Sequence, residues 1–135
     1  MSTYAVFGMT RRRALEGVRA RTEAVDYKTR KGISVEEWEA RCQTEADQVM
    51  ESARVIQLSE KFDAPQYAEQ FLKIAEKEGG RSLQIRVHCW TGEFDPMTHK
   101  KIMKWVGYGS PEEMVIRRKV GYKEQAIAPS DEAEA

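Results

Sequence analysis

Long apolar runs are missing from this 135-residue chain. No window approaches the eighteen consecutive apolar residues that a membrane-spanning helix needs, so no membrane partner is expected. Cysteine is scarce: Cys42 and Cys89 stand alone, where a small secreted domain carries four or more in a disulfide framework. The opening residues, Met1 to Met9, have no basic leader and only a short apolar run before the arginines begin, so they do not read as a signal peptide. These absences describe a soluble protein of a reducing cytoplasm with both thiols free. An excess of one charge sign is missing as well, with 22 Lys and Arg against 22 Asp and Glu. Common catalytic signatures are absent too. There is no phosphate-cradling glycine loop ending in Lys-Ser or Lys-Thr, no Gly-x-Gly-x-x-Gly, no His-Glu-x-x-His, no Cys-x-x-Cys and no Gly-x-Ser-x-Gly. The expectation is a protein that is not an enzyme and needs no cofactor.

Hydrophobic residues make up 41% of the chain and charged residues 33%, the latter above the usual quarter. The length suits one domain. The zero net charge hides strong patterning. Residues 1–31 hold eight basic and three acidic side chains, and 32–78 hold five and eleven. Residues 79–123 return to nine basic and four acidic, and 124–135 carry four acids and no base. Two basic blocks around an acidic one can either polarise the surface or cancel on it.

Periodicity gives most of the elements. Tyr4 to Met9 reads as a strand apolar on both sides, and so buried on both faces. Thr10 offers an N-cap for a helix to about Thr22, buried through Ala14, Leu15 and Val18. Residues 23–30 are ambiguous, an exposed strand or an extended arm, and Lys31-Gly32 reads as a turn. Ser34 with Glu37 makes a capping box for a helix from about Val35 to Ala53, striped by Trp38, Cys42, Ala46 and Val49. Arg54 to Leu58 is a short strand. Asp63 and Pro65, with Gln66, start a third helix that Gly79-Gly80 ends. Leu83 to Trp90 is the clearest strand, with Leu83, Ile85, Val87 and Cys89 on one face and Gln84, Arg86, His88 and Trp90 on the other. Thr91-Gly92 reads as a turn, Glu93 to Lys101 as a hairpin loop or short helix, and Ile102 to Tyr108 as a strand. Ser110-Pro111-Glu112-Glu113 opens a last short helix closed by Gly121. No internal repeat stands out. Alternating elements around a small sheet define an α+β class. The expected architecture is a single domain over 1–124 with three to five strands and three or four helices, then an acidic disordered tail over 125–135.

Arginine is the strongest chemical signal. Arg11, Arg12 and Arg13 stand at a helix N-terminus, where the helix dipole disfavours cations, so local stability does not explain them. Arg19 and Arg21 follow on the same helix. Two explanations compete: phosphates or a carboxylate-rich partner, or the protein's own acidic middle helix. A second cluster, Lys100, Lys101 and Lys104, then Arg117, Arg118 and Lys119, is interleaved with Trp90, Trp105 and Tyr108, and cations beside aromatics suit single-stranded nucleic acid or a protein hot spot. Trp90, on a face with Arg86, is either presented to a partner or covered. The candidate partner contacts are therefore Arg11, Arg12, Arg13, Arg19, Arg21, Arg86 and Trp90. The candidate nucleic-acid contacts are Arg11, Arg12, Arg13, Lys100, Lys101, Lys104 and Trp105. His88, His99 and a carboxylate from Glu93 or Asp95 would form a metal site only if the 91–101 segment folded back.

The opening Tyr4-Ala5-Val6-Phe7-Gly8-Met9-Thr10 ahead of a basic helix resembles small accessory proteins of tailed phages and prophages. So do Val55-Ile56-Gln57-Leu58, the stretch Phe62 to Ala68, and Gln84-Ile85-Arg86-Val87-His88. The resemblance spans residues 3–90 and transfers no functional residue. It implies a non-enzymatic protein of the host cytoplasm that binds and modulates or inhibits a host protein or nucleoprotein complex, such as a CRISPR or restriction defence system. Direct nucleic-acid binding through the arginine-rich first helix is the alternative, and a homodimer fits an exposed Trp90 face equally well.

Overall fold

The computed structural model describes residues 2–52 and 54–127. Its elements run β1 (Thr3–Met9), α1 (Arg11–Arg21), α2 (Val35–Glu51), β2 (Ile56–Gln57), α3 (Pro65–Lys77), β3 (Arg81–Phe94), β4 (Lys101–Gly107) and α4 (Pro111–Ile127). The fold is α+β, with a four-stranded sheet in the order β2-β1-β3-β4 and every pairing antiparallel. The two strands clearest in the sequence, β1 and β3, are the central pair.

Register divides the sheet into two faces. Tyr4 stands opposite Val87 and Val6 opposite Ile85, while Val87 stands opposite Val106. These residues gather with Cys89, Ala68 and Ile116 into the main core, so α3 and α4 cover this face together. The second core is Met9, Ala14, Val18, Cys42 and Ala46, where α1 and α2 pack on each other beside Met9 and Ile56. Only α3 and α4 pack extensively on the strands. The opposite face, carrying Phe7, Arg86, His88 and Trp105 by register, has no helix packed along it among the described residues.

Capping explains the helix starts. Thr10 accepts from the Arg13 N–H and Ser34 from the Glu37 N–H, as expected. The third start differs: Ala64 holds the cap position with no side-chain bond, and Pro65 supplies the first-turn geometry in place of an Asp63 cap. Gly79 sits at φ 73°, and the Gly80 and Gly79 N–H groups bond to Ala75 and Glu76 carbonyls, a Schellman ending for α3.

Two expectations about the C-terminal half are corrected. Thr91-Gly92 is not a turn, because β3 continues through a register shift to Phe94. The hairpin turns at Asp95 instead. Helix α4 runs past Gly121 to Ile127, and of the tail expected over 125–135, residues 128–135 lie outside the described residues.

A repeat also appears. Asp26-Tyr27-Lys28-Thr29-Arg30-Lys31 and Asp95-Pro96-Met97-Thr98-His99-Lys100 form the same turn. In each, one aspartate oxygen accepts the N–H groups two and three residues on. The aspartate carbonyl accepts from the residue four on, which has φ 60°, and the aspartate N–H closes onto the lysine carbonyl. The two turn N–H donors hold the Asp26 carboxyl below its ordinary range. The ambiguous 23–30 segment is thus a tight loop, pinned where the Arg41 guanidinium donates to the Val25 carbonyl at 2.8 Å.

Candidate nucleic-acid interface

Most of the α1 arginines do not wait for a partner. Arg11 pairs with Asp47 and donates to Gln43 at 2.6 Å, and Arg19 pairs with Glu39. These acids lie on α2, so the acidic middle helix answers two of the five α1 arginines. Arg12 reaches Glu16 at 3.6 Å and Glu78 at 3.8 Å while staying largely exposed. Arg13 and Arg21 have no ion pair among the described residues.

The second basic cluster divides as well. Lys104 pairs with Glu112, and the Lys101 ammonium stands 4.6 Å from the Trp90 ring centroid. Lys100 is exposed at the end of the twin turn. Trp90 is only 9% exposed. Its indole N–H donates to the Glu93 carbonyl at 2.7 Å and Phe94 packs against it at 5.2 Å. The expectation of Trp90 as a presented contact is therefore corrected: the bulge in β3 folds Phe94 and Lys101 over it.

What the structure does present is a cation–aromatic cluster on the uncovered sheet face. The Arg86 guanidinium lies 4.6 Å over the Phe7 ring. Phe7 meets Trp105 edge-on at 5.0 Å. Trp105 and His88, directly opposite in the register, have ring centroids 4.8 Å apart and planes 33° apart. Lys61, from the loop after β2, brings its ammonium to 5.9 Å from the Trp105 ring. Arg86 and Lys61 have no carboxylate partner among the described residues. The strand positions on this face, from Thr3, Ala5, Phe7, Gln84, Arg86 and His88 across to Met103 and Trp105, contain no acid.

Electrostatics fit that arrangement. Burial, then the Lys61 charge, push His88 below its ordinary value, so its ring is neutral at neutral pH. A guanidinium on an aromatic bed keeps its N–H edge available to an anion while its plane gains dispersion and quadrupole attraction. On the other face burial pushes the Cys89 thiol up, which keeps it protonated and a poor nucleophile. Among the described residues no three His, Cys, Asp or Glu side chains gather as a metal site, and no helix is long and apolar enough to cross a membrane.

The arrangement unites Arg86 and Trp105, which sequence reasoning had placed in separate lists. It adds Phe7 and Lys61, which that reasoning missed. Phe7 is buried, as its apolar strand pattern predicts, and serves only as the bed beneath Arg86, and Lys61 reaches the face only because the 58–62 segment follows the β1 edge. No protein-family model, curated protein or solved structure matches the chain.

Proposed function

We propose that this chain is a non-enzymatic binding protein whose uncovered sheet face takes single-stranded nucleic acid, free or held in a nucleoprotein complex. One observation carries the reading: the half-buried Arg86, His88 and Trp105 and the exposed Lys61 form a cation–aromatic surface over the buried Phe7 ring, without a carboxylate on its strand positions. Flat rings accept unpaired bases by stacking, and Arg86 and Lys61 are placed to meet the phosphates beside them. Duplex bases are stacked on each other and are not open to such rings. In the accessory-protein setting that the sequence suggests, the strand belongs to a host nucleoprotein such as a defence complex.

The test is fluorescence anisotropy with a labelled single-stranded oligonucleotide at about 50 mM salt, followed over a salt series. Two neutralised phosphates give a log–log salt slope of about −1.4. Trp105→Ala weakens binding about tenfold or more, the cost of one lost stacking partner. Arg11→Ala and Arg19→Ala leave affinity within about twofold, because both side chains already face carboxylates. Absence of binding at low salt, or indifference to Trp105→Ala, overturns the proposal. A nuclease-resistant protein complex captured by the wild-type chain but not by Arg86→Ala would then identify the face as a protein-binding surface.

A further inference from the structure

Arg13 and Arg21 are drawn together where no carboxylate among the described residues pairs with them. They flank Gly17 on α1 at four residues to either side, and a Cβ built on Gly17 would lie 3.7 Å from Arg13 Nη1 and 4.0 Å from Arg21 Nη1. Both guanidinium groups therefore converge over one glycine. A third arginine, Arg54, joins them around a shallow cavity of ≈ 160 Å³. Met9, Val49 and Ile56 also line this cavity, and none of the three arginines has an ion pair among the described residues. A neighbouring cavity shares Arg21 and Arg54 and includes Glu45, whose carboxylate instead accepts the Thr22 hydroxyl at 2.8 Å.

Like charges repel, and flexible arginines on a surface ordinarily spread or find acids. Here acids are near, since α2 neutralises Arg11 and Arg19, but Arg13, Arg21 and Arg54 remain outside that pairing. Gly17 adds to the pattern. Glycine is among the poorest residues for a helix interior, and this one has no positive φ that would require it. Its missing side chain leaves open the space between the two guanidinium groups.

We propose that Arg13, Arg21 and Arg54, arranged around Gly17, form a binding site for a phosphate group. Three guanidinium groups around a cavity of that size suit the charge and the several oxygens of one phosphate, with fork-like N–H donation to its oxygens. The same chemistry is offered by a polynucleotide backbone and by a small phosphate monoester. The site is independent of the sheet-face reading and uses none of its residues.

The experiment is thermal unfolding of the full chain with inorganic phosphate, a nucleoside monophosphate, or sodium chloride at matched ionic strength. Phosphate is expected to raise Tm where chloride does not, and above Kd the rise continues with the logarithm of phosphate concentration, as for any ligand of the folded state alone. Gly17→Glu places a carboxylate between Arg13 and Arg21. It raises Tm without ligand and lowers phosphate affinity at least tenfold. Gly17→Gln, equal in size but uncharged, separates steric blocking from neutralisation by leaving the ligand-free Tm below that of Gly17→Glu. Competition between phosphate and an oligonucleotide assigns the site to a polynucleotide backbone, and monophosphate binding without competition assigns it to a small phosphoester. Phosphate acting no differently from chloride, or Gly17→Glu retaining wild-type phosphate affinity, overturns the proposal. Gly17→Glu leaves the Trp105 response to single strands in place, so failure of one site is distinguishable from failure of the other.

Discussion

Removing one hydroxyl at the edge of β1 should cost about 2 kcal/mol, the loss expected when a buried N–H is left unpaired. Val6 is fully buried, and β2 pairs with β1 only at Phe7 and Gly8. Beyond that point the chain detours before Phe62 pairs with Tyr4. Within the detour the Leu58 N–H reaches the Val6 carbonyl at 2.8 Å, but the Val6 N–H is met by the Ser59 hydroxyl, also at 2.8 Å. That hydroxyl, itself buried, donates onward to the Glu60 carbonyl. Ser59→Ala deletes both bonds. The Glu60 carbonyl lies on an exposed residue and turns to water, whereas the Val6 N–H has no replacement. A net hydrogen bond contributes about 1 kcal/mol, and an orphaned buried donor raises the loss into a range of about 1–3 kcal/mol. With an m-value of about 2 kcal/mol/M in urea, the midpoint falls by about 1 M at unchanged m. Hydrogen exchange should show the Val6 amide losing protection. A midpoint within about 0.2 M of wild type would refute this account of the β1 edge, because about 0.4 kcal/mol is too little for a buried unpaired donor.

Glu113, only 3% exposed, accepts from the Gly109 N–H at 2.7 Å and from Arg117 at 2.8 Å, and Arg117 in turn reaches the Tyr4 hydroxyl at 3.4 Å. Glu113→Ala is expected to cost about 2–3 kcal/mol in urea unfolding, and Glu113→Gln, which keeps an acceptor for Gly109, about half of that; equal costs would contradict the assignment. His88 holds its proton less tightly folded than unfolded. The unfolded chain therefore takes up the extra proton as pH falls below about 6.5, and stability declines from there through the folded value. His88→Gln should flatten that part of the stability–pH curve, and an unchanged slope would show that His88 is not its source.

The segments most legible in the sequence were those whose pattern is local. Caps at Thr10 and Ser34, the stripe through Trp38, Cys42 and Ala46, the Gly79-Gly80 ending and the alternation of β3 all follow from neighbours a few residues apart, and all appear in the structure. The twin Asp-x-x-Thr-x-Lys turns were equally local, and their repeat at positions 26 and 95 stands in the chain for anyone comparing loops instead of elements. Gly17 between Arg13 and Arg21 was a visible signal of the same kind, a weak helix former set in the middle of a charged helix.

Tertiary structure alone decided which charges find no ion pair among the described residues and which sheet face has no helix packed along it. Arg11 and Arg13 are two residues apart and look alike in sequence, yet the α1–α2 crossing sets Arg11 against Asp47 and leaves Arg13 over Gly17. Arg54 joins it only because the chain after α2 returns to the edge of β1. Trp90 and Trp105 both stand on strands of the hairpin, but a bulge in β3 buries the first while the register with β4 sets the second beside His88. Periodicity records that a residue is apolar and which side of its own element it occupies. It carries no information on which element arrives to cover that side, because that choice depends on packing between segments far apart in the chain.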